Sequence, residues 1–276
     1  MTRRVLAGAA MAWLAAVALA AVLAPALAIH DPIQPIAGPL SPPATGMPLG
    51  TDALGRDLLA RMLFGARVSL FGGVLATALA AVAGGAAGLA AAMRGGLAER
   101  AILWASNAML SIPGLVLALL FLTALGPGMG TIALAVGLGG APGFARLSRG
   151  AFLTARRSDY VRASQALGAG PRWVALRHVV PNARTELLSL ITTQFAWAFL
   201  GTTTLTFLGL AGDLSLPEWG AMLNDGRNHL LDAPHLALWP GMAISLTILS
   251  VQYLGSWFTR RPEPAGRSRQ ALSESS

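Results

Sequence analysis

Three kinds of side chain in this sequence could do chemistry: carboxylates set beside arginines, imidazoles, and hydroxyls embedded in apolar runs. Asp52, Arg56 and Asp57 lie within Gly50-Thr51-Asp52-Ala53-Leu54-Gly55-Arg56-Asp57. This spacing suits a local network of ion pairs and turns, either a solvated cap that orders a loop or a contact surface for another molecule. His30, His178, His229 and His235 are dispersed, and none has the His-Glu-x-x-His spacing that puts two imidazoles on one helix face for a metal. All twenty basic residues are Arg, so a Gly-rich phosphate loop with its Lys is excluded. Runs such as Gly84-Gly85 lie in apolar stretches where they could cradle no phosphate. No Ser/His/Asp constellation is legible. The sequence therefore predicts no catalytic residue, no cofactor site and no metal site on this chain, and hence no enzyme.

The elements that carry these residues are set by composition. Hydrophobic residues make up 54% of the chain and charged residues 12%, against about 25% charged in a soluble domain. Such a chain is solvated by lipid. The absence of Cys excludes disulfides and thiolate metal sites. A formal charge of +8 with a pI near 11.5 could signal nucleic-acid binding. The arginines instead alternate between loops in a topological pattern, so no nucleic-acid partner is expected.

A membrane-crossing helix needs about 20 apolar residues. Six stretches qualify: Val5–Ile29, Leu70–Met93, Ala101–Leu125, Gly130–Leu147, Leu187–Leu210 and Leu236–Phe258. The fourth is the shortest and contains Pro142. The predicted fold is all-α and polytopic. Residues 1–29 form a first span, 30–69 an external loop, and 70–258 the transmembrane core. That core includes a cytoplasmic loop at 146–184 and an external segment at 211–235, and residues 259–276 form a disordered cytoplasmic tail. Alternating sides puts Arg3, Arg4, Arg94, Arg100, the arginines from Arg146 to Arg184, and Arg260, Arg261, Arg267 and Arg269 on one face. Only Arg56, Arg61, Arg67 and Arg227 fall on the other, so both termini are expected in the cytoplasm. Arg3-Arg4, an Ala/Leu run and Ala26-Leu27-Ala28 also resemble a cleavable signal peptide, but the apolar run exceeds the ~7–15 residues of such a region, and a retained helix is expected.

Within the spans, Gly84 and Gly88, and Gly139 and Gly143, have the small-xxx-small spacing of close helix contact. Pro113 should kink the third helix. No strongly buried ionisable group is expected in a span, and ion-coupled carriers commonly place one at the midplane, so energy would come from outside this subunit. Gln194, Trp197, Thr202, Thr203 and Thr206 on the fifth span are the polar groups expected along a translocation path, although interhelical or back-bonded hydrogen bonds would also use them. Trp219, Met222, Leu223 and Trp239 suit the headgroup level of the membrane, or an outer gate.

The loop from Arg146 to Arg184 is too basic for lipid and too regular for a tether. Ser158 is placed as the N-cap of a helix running to Leu167, which Gly168-Ala169-Gly170 stops. Pro171 begins a second helix that Pro181 closes. A helix–Gly–helix element outside the bilayer is suited to docking on a soluble partner.

Arg162-Ala163-Ser164, then Leu167-Gly168, then His178-Val179-Val180-Pro181 resembles the cytoplasmic signature of bacterial ATP-binding cassette importer permeases: Glu-Ala-Ala, three residues, Gly, nine residues and an apolar stretch ending in Pro. Ala163, Gly168 and Pro181 match, while Arg162 and Ser164 replace the Glu and the second Ala. Gly50-Thr51-Asp52-Ala-Leu-Gly55-Arg56-Asp57 is similar to the segment before the second helix in the dipeptide, oligopeptide and nickel type of these permeases. Phe207-Leu-Gly-Leu210, Glu218-Trp-Gly-Ala-Met222 and Ala233-Pro-His-Leu-Ala-Leu-Trp-Pro-Gly241 are similar to its last external segment. The resemblance implies a coupling helix formed by Arg162, Ala163, Ser164, Leu167, Gly168, His178 and Pro181 and inserted into an ATPase. It also implies a second homologous permease, two cytosolic ATPase subunits that hold ATP and Mg, an external solute-binding protein, and a bacterial inner-membrane location. The cargo it implies is a dipeptide or oligopeptide, with nickel or a metal chelate as the alternative. A nucleotide-independent channel or secondary carrier is the competing reading of another class.

Overall fold

A computed structural model describes residues 2–212 and 215–259. Eleven helices and a short π-helical turn carry the described chain, with only isolated β-bridges in the external loop. The predicted tail at 260–276 lies outside the described residues.

Helix α1 spans Thr2–Leu27 and α2 spans Leu58–Arg94. The second span thus begins twelve residues before the expected Leu70, because Asp57 caps the helix by accepting from Leu59 N at 3.0 Å, as an N-cap carboxylate should. Arg61 and Arg67 make this first stretch look polar in sequence. In the fold Arg61 is 1% exposed, buried in the first turn of α2 ahead of the expected span.

The expected third span is two helices, α3 (Gly96–Leu110) and α4 (Gly114–Leu125), bent by 87°. The kink expected at Pro113 is a full break in the structure. Proline lacks the N–H that would continue the helix and pushes Ile112 out of the helical region. Helix α5 runs Met129–Arg156, passing through Pro142 and well beyond the predicted end at Leu147. Its basic C-terminal turns are anchored on neighbours: Arg149 Nε donates to Glu99 at 2.6 Å, and Arg156 Nη1 donates to Ala92 O at 2.6 Å.

After α5 come α6 (Asp159–Ala166), α7 (Pro171–Val174), the π turn Ala175–Val179 and α8 (Val180–Asn182), then α9 (Arg184–Phe207), α10 (Trp219–Arg227) and α11 (His235–Thr259). Three helices, α1, α2 and α11, are long and apolar enough to cross a membrane, and α3 with α4 make a fourth if the bent pair is one span. Helices α5 and α9 have the length but fall short of that apolarity. They lie against α2 and each other, and a helix face packed on protein needs no lipid-like surface.

The contact of α2 with α5 is the most extensive in the molecule. A Cβ on Gly84 would stand 2.3 Å from Ala141 O, and one on Gly88 would stand 2.6 Å from Ala145 O. The partner stripe on α5 is therefore Ala141, Ala145 and Ser148. The Gly139–Gly143 pair singled out by spacing does not meet it: Gly143 has open space around it, and Gly139 faces Leu117 of α4.

Candidate functional site

The external motif folds into a buried knot. Gly50 and Gly55 adopt φ of +75° and +80°, and a Cβ at either would lie within 2.4 Å of a carbonyl oxygen of the adjoining strand of loop. Both positions thus require glycine. Thr51 donates its hydroxyl to Gly38 O at 2.8 Å and accepts from Ser41 N at 2.9 Å. Asp52 Oδ2 pairs with Arg56 Nε at 2.7 Å and Arg61 Nε at 3.2 Å, while its Oδ1 accepts from Leu54 and Arg56 N–H. Asp57 holds His30 Nδ1 at 2.9 Å. Asp52, Arg56 and Asp57 are all buried, so of the two readings open in the sequence the solvated cap gives way to an internal brace. Charges withdrawn from water must be paired, and here they pair with one another.

That brace reaches α10. Arg61 Nη1 donates to Pro32 O at 3.0 Å and Ser215 O at 3.1 Å. Glu218 caps α10 by accepting from Ala221 N at 2.9 Å and also accepts from Ser69 Oγ at 2.7 Å. Burial pushes its carboxyl up, and hydrogen bonds from Thr206, Ser69 and the Ala221 and Gly220 N–H groups pull it partly back. Trp219 is buried against Phe199 and donates Nε1 to Met62 O at 3.0 Å. Trp219 and Met222 are therefore core residues rather than headgroup-level anchors. Trp239 is 40% exposed and remains free for that role. Glu218, Arg61 and Ser69 stand in sequence only as members of family-like segments, because their partners lie far away along the chain: Ser215 for Arg61, and Ser69 and Glu218 for one another.

The basic loop has an anchored side and a bare side. Val161, Val174, Val179 and Ala183 pack with Ala92 and Phe152 in one small core. Arg162, Ala163, Leu167, Gly168 and Pro181 are exposed and Ser164 is half-buried. Leu167 is 89% exposed, beside Gly168 at φ +88°, so an apolar knob stands at the tip of a fixed elbow. His178 differs from its neighbours: its ring lies edge-on to Tyr160 and Trp173, with centroids at 5.7 and 4.8 Å, and it stiffens the elbow from within.

Two local expectations change here. The backbone of Ser158 is extended as an N-cap should be, but its hydroxyl donates back to Ala155 O at 2.6 Å and caps nothing. Pro181 does not close the second helix, which continues to Asn182. In the π turn Val180 N–H reaches back to Ala175 O, and such a one-residue widening lets the helical path run on through a residue without an N–H.

The polar residues of α9 divide between two faces. Gln194 and Trp197 line a groove of about 610 Å³ together with Gly140, Gly201, Thr204 and Leu208. Thr202, Thr203 and Thr206 are buried on the opposite side; Thr202 and Thr203 donate their hydroxyls to Phe199 O one turn back, while the Thr206 hydroxyl serves Glu218. A Cβ on Gly220 of α10 would touch Thr203 O and Thr206 Oγ1. Thr203 and Thr206 therefore seat α10, and Gln194 and Trp197 face the open groove.

The profile of the binding-protein-dependent transport system inner membrane component family matches residues 83–265, a stretch holding the elbow, the groove and α10. The chain belongs to that family. It is a permease subunit of an ATP-binding cassette importer, a multi-pass membrane component and not itself an enzyme, in a family that works with ATPase and binding-protein partners. The glutathione transport system permease protein GsiD of Pectobacterium atrosepticum is 33% identical over 226 residues, covering 82% of this permease and 75% of the relative. The protein of the same name from Shigella sonnei is 35% identical over 206 residues, covering 75% and 68%. Among solved structures, the inward-facing MetNI methionine ABC transporter superposes with a TM-score of 0.61 at 19% identity, over 74% of this permease and 95% of that chain. That likeness concerns the fold.

Proposed function

We infer that the permease forms half of a translocation pore for small peptides, glutathione-sized tripeptides included, delivered by an external binding protein. Two cytosolic ATPase subunits, carrying ATP and Mg, dock on the Arg157–Arg184 elbow, and a second permease closes the groove containing Gln194 and Trp197. Both termini lie in the cytoplasm, and six spans cross the inner membrane, with α3 and α4 together as the third. The observation that carries this reading is the exposed Leu167–Gly168 knob on a loop whose other side is locked by Val161, Val174 and Val179. A rigid elbow transmits displacement, and the ATPases drive the cycle through their different affinities for its two states. The names of the two relatives support the peptide class.

The test is uptake into proteoliposomes containing the complete complex, with glutathione, dipeptides and nickel offered in parallel. ATP-dependent accumulation of the tripeptide is expected, and Gly168→Pro should abolish it while the complex still inserts, because proline cannot adopt φ +88°. Uptake without nucleotide, or normal uptake by Gly168→Pro, overturns the mechanism. Accumulation of nickel alone overturns the cargo.

A further inference from the structure

A second surface lies away from the pore. Helices α1 and α11 run antiparallel and enclose a groove of about 540 Å³ whose walls include Leu6, Ala9, Trp13, Leu246, Leu249 and Tyr253. A hydrogen bond ties the helices at each end: Trp13 Nε1 donates to Thr247 Oγ1 at 3.2 Å, and Tyr253 OH donates to Arg3 O at 3.0 Å. Between these ties the small Ala9 and Ala10 of α1 leave a gap opposite the leucines of α11. The helices do not close over it, and an unfilled apolar gap forfeits dispersion contact.

Its charge and length indicate what fills it. Arg3, Leu6, Ala10 and Trp13 recur at helical spacing, so an exposed arginine heads the same stripe whose apolar members line the groove. From Arg3 to Trp13 the helix rises about 15 Å, which is half of the ~30 Å hydrocarbon core. Arg3 and the adjacent exposed Arg4 thus stand at headgroup depth, and Trp13 closes the groove near the bilayer centre. From this geometry we propose that the groove is a binding site for one anionic glycerophospholipid of the cytoplasmic leaflet, with an acyl chain between α1 and α11 and the phosphate at Arg3 and Arg4. The leaflet rests on the topology inferred above.

The test is native mass spectrometry of the purified complex after exchange into detergent with equal phosphatidylglycerol and phosphatidylcholine. Wild type should retain one phosphatidylglycerol in preference to phosphatidylcholine. The double variant Arg3→Gln/Arg4→Gln should lose that preference roughly tenfold or more, since each basic residue at the surface contributes about 1 kcal/mol. Ala9→Trp, which fills the groove and leaves both charges, should lose the retained lipid with ATPase activity intact. Equal retention of both lipids, or unchanged retention in Ala9→Trp, overturns the site. The chain lacks Cys, so Ala9→Cys provides a unique thiol, and its crosslinking to another subunit would assign the groove to a protein neighbour instead. Labelling of Ser256→Cys by an impermeant maleimide in inside-out but not right-side-out vesicles tests the topology separately. The reverse result would overturn the assignment to the cytoplasmic leaflet.

Discussion

Ser69 Oγ donates to Glu218 Oε1 at 2.7 Å and accepts from Trp219 N–H at 3.0 Å, so one hydroxyl on α2 holds the start of α10 across 149 residues of sequence. This bond joins the external brace to the transmembrane core. It also fixes the side-chain N-cap of α10, because the other carboxylate oxygen serves Ala221 N.

Glu218→Ala should therefore destabilise the permease by about 2–4 kcal/mol, combining a lost cap with buried donors left unpaired. The pH response has a definite sign. Burial raises the folded carboxyl above 4.5, so the folded state binds more protons than the unfolded one in that window. Stability should fall as pH climbs from 4.5 through the raised value, and Glu218→Gln should flatten this slope. Thermal unfolding of wild type and Glu218→Gln in parallel across about pH 5–8 reads the difference. Identical slopes would show that Glu218 does not carry the effect.

Asp52 is the sole carboxylate within 3.2 Å of both Arg56 and Arg61 among the described ion pairs. Asp52→Ala removes the near anion from two buried guanidiniums, leaving Arg56 only its longer pair with Asp225 at 3.9 Å, and is expected to cost about 3–5 kcal/mol. Adding Arg61→Met removes one stranded charge, so the double variant should be more stable than Asp52→Ala alone. Arg61→Lys should not substitute, because one ammonium cannot reach Asp52, Pro32 and Ser215 together. Unfolding midpoints of the three purified variants decide the matter, and a double variant weaker than the single one would refute the pairing.

Much of this architecture is legible from sequence because the bilayer demands long apolar helices and arginine marks the loops between them. The elbow was found at Ser158–Pro181 because Gly168 and Pro171 interrupt it at fixed places. Less legible was whatever depends on a distant partner. Arg61 reads as a polar residue ahead of a span until Asp52 is placed beside it. Trp219 reads as an interfacial aromatic until Met62 O is seen to accept its N–H. Thr202, Thr203 and Thr206 are indistinguishable in sequence from Gln194 and Trp197, since the face of α9 that turns to α10 is set by tertiary packing. Gly139-xxx-Gly143 shows the limit of spacing alone, because the stripe that meets Gly84 and Gly88 is built of alanines and a serine.

That last point can be tested directly. Gly84→Leu would drive side-chain atoms into the backbone of α5 at Ala141, where no flexible neighbour can give way. The expected penalty is about 1–3 kcal/mol or more, visible as a lower thermal midpoint and poor recovery of the complex. Gly143→Ala should be neutral, because nothing lies within 4 Å of the added carbon. Equal behaviour of the two variants would place the close contact elsewhere.

The elbow makes the opposite demand on its two faces, and two substitutions separate them. Val174→Ala opens a cavity in the small core under the loop and should lower stability by about 1–3 kcal/mol, while the docking tip keeps its chemistry. Leu167→Ser removes a side chain that is 89% exposed, so stability should stay within about 0.5 kcal/mol. If the knob seats in an ATPase, Leu167→Ser should nevertheless reduce co-purification of that subunit severalfold and lower ATP-driven uptake in step. Co-purification and thermal unfolding measured on the same preparations distinguish the cases. A Leu167→Ser complex that keeps its ATPase and its uptake would mean that the elbow docks through its arginines, with the leucine a bystander.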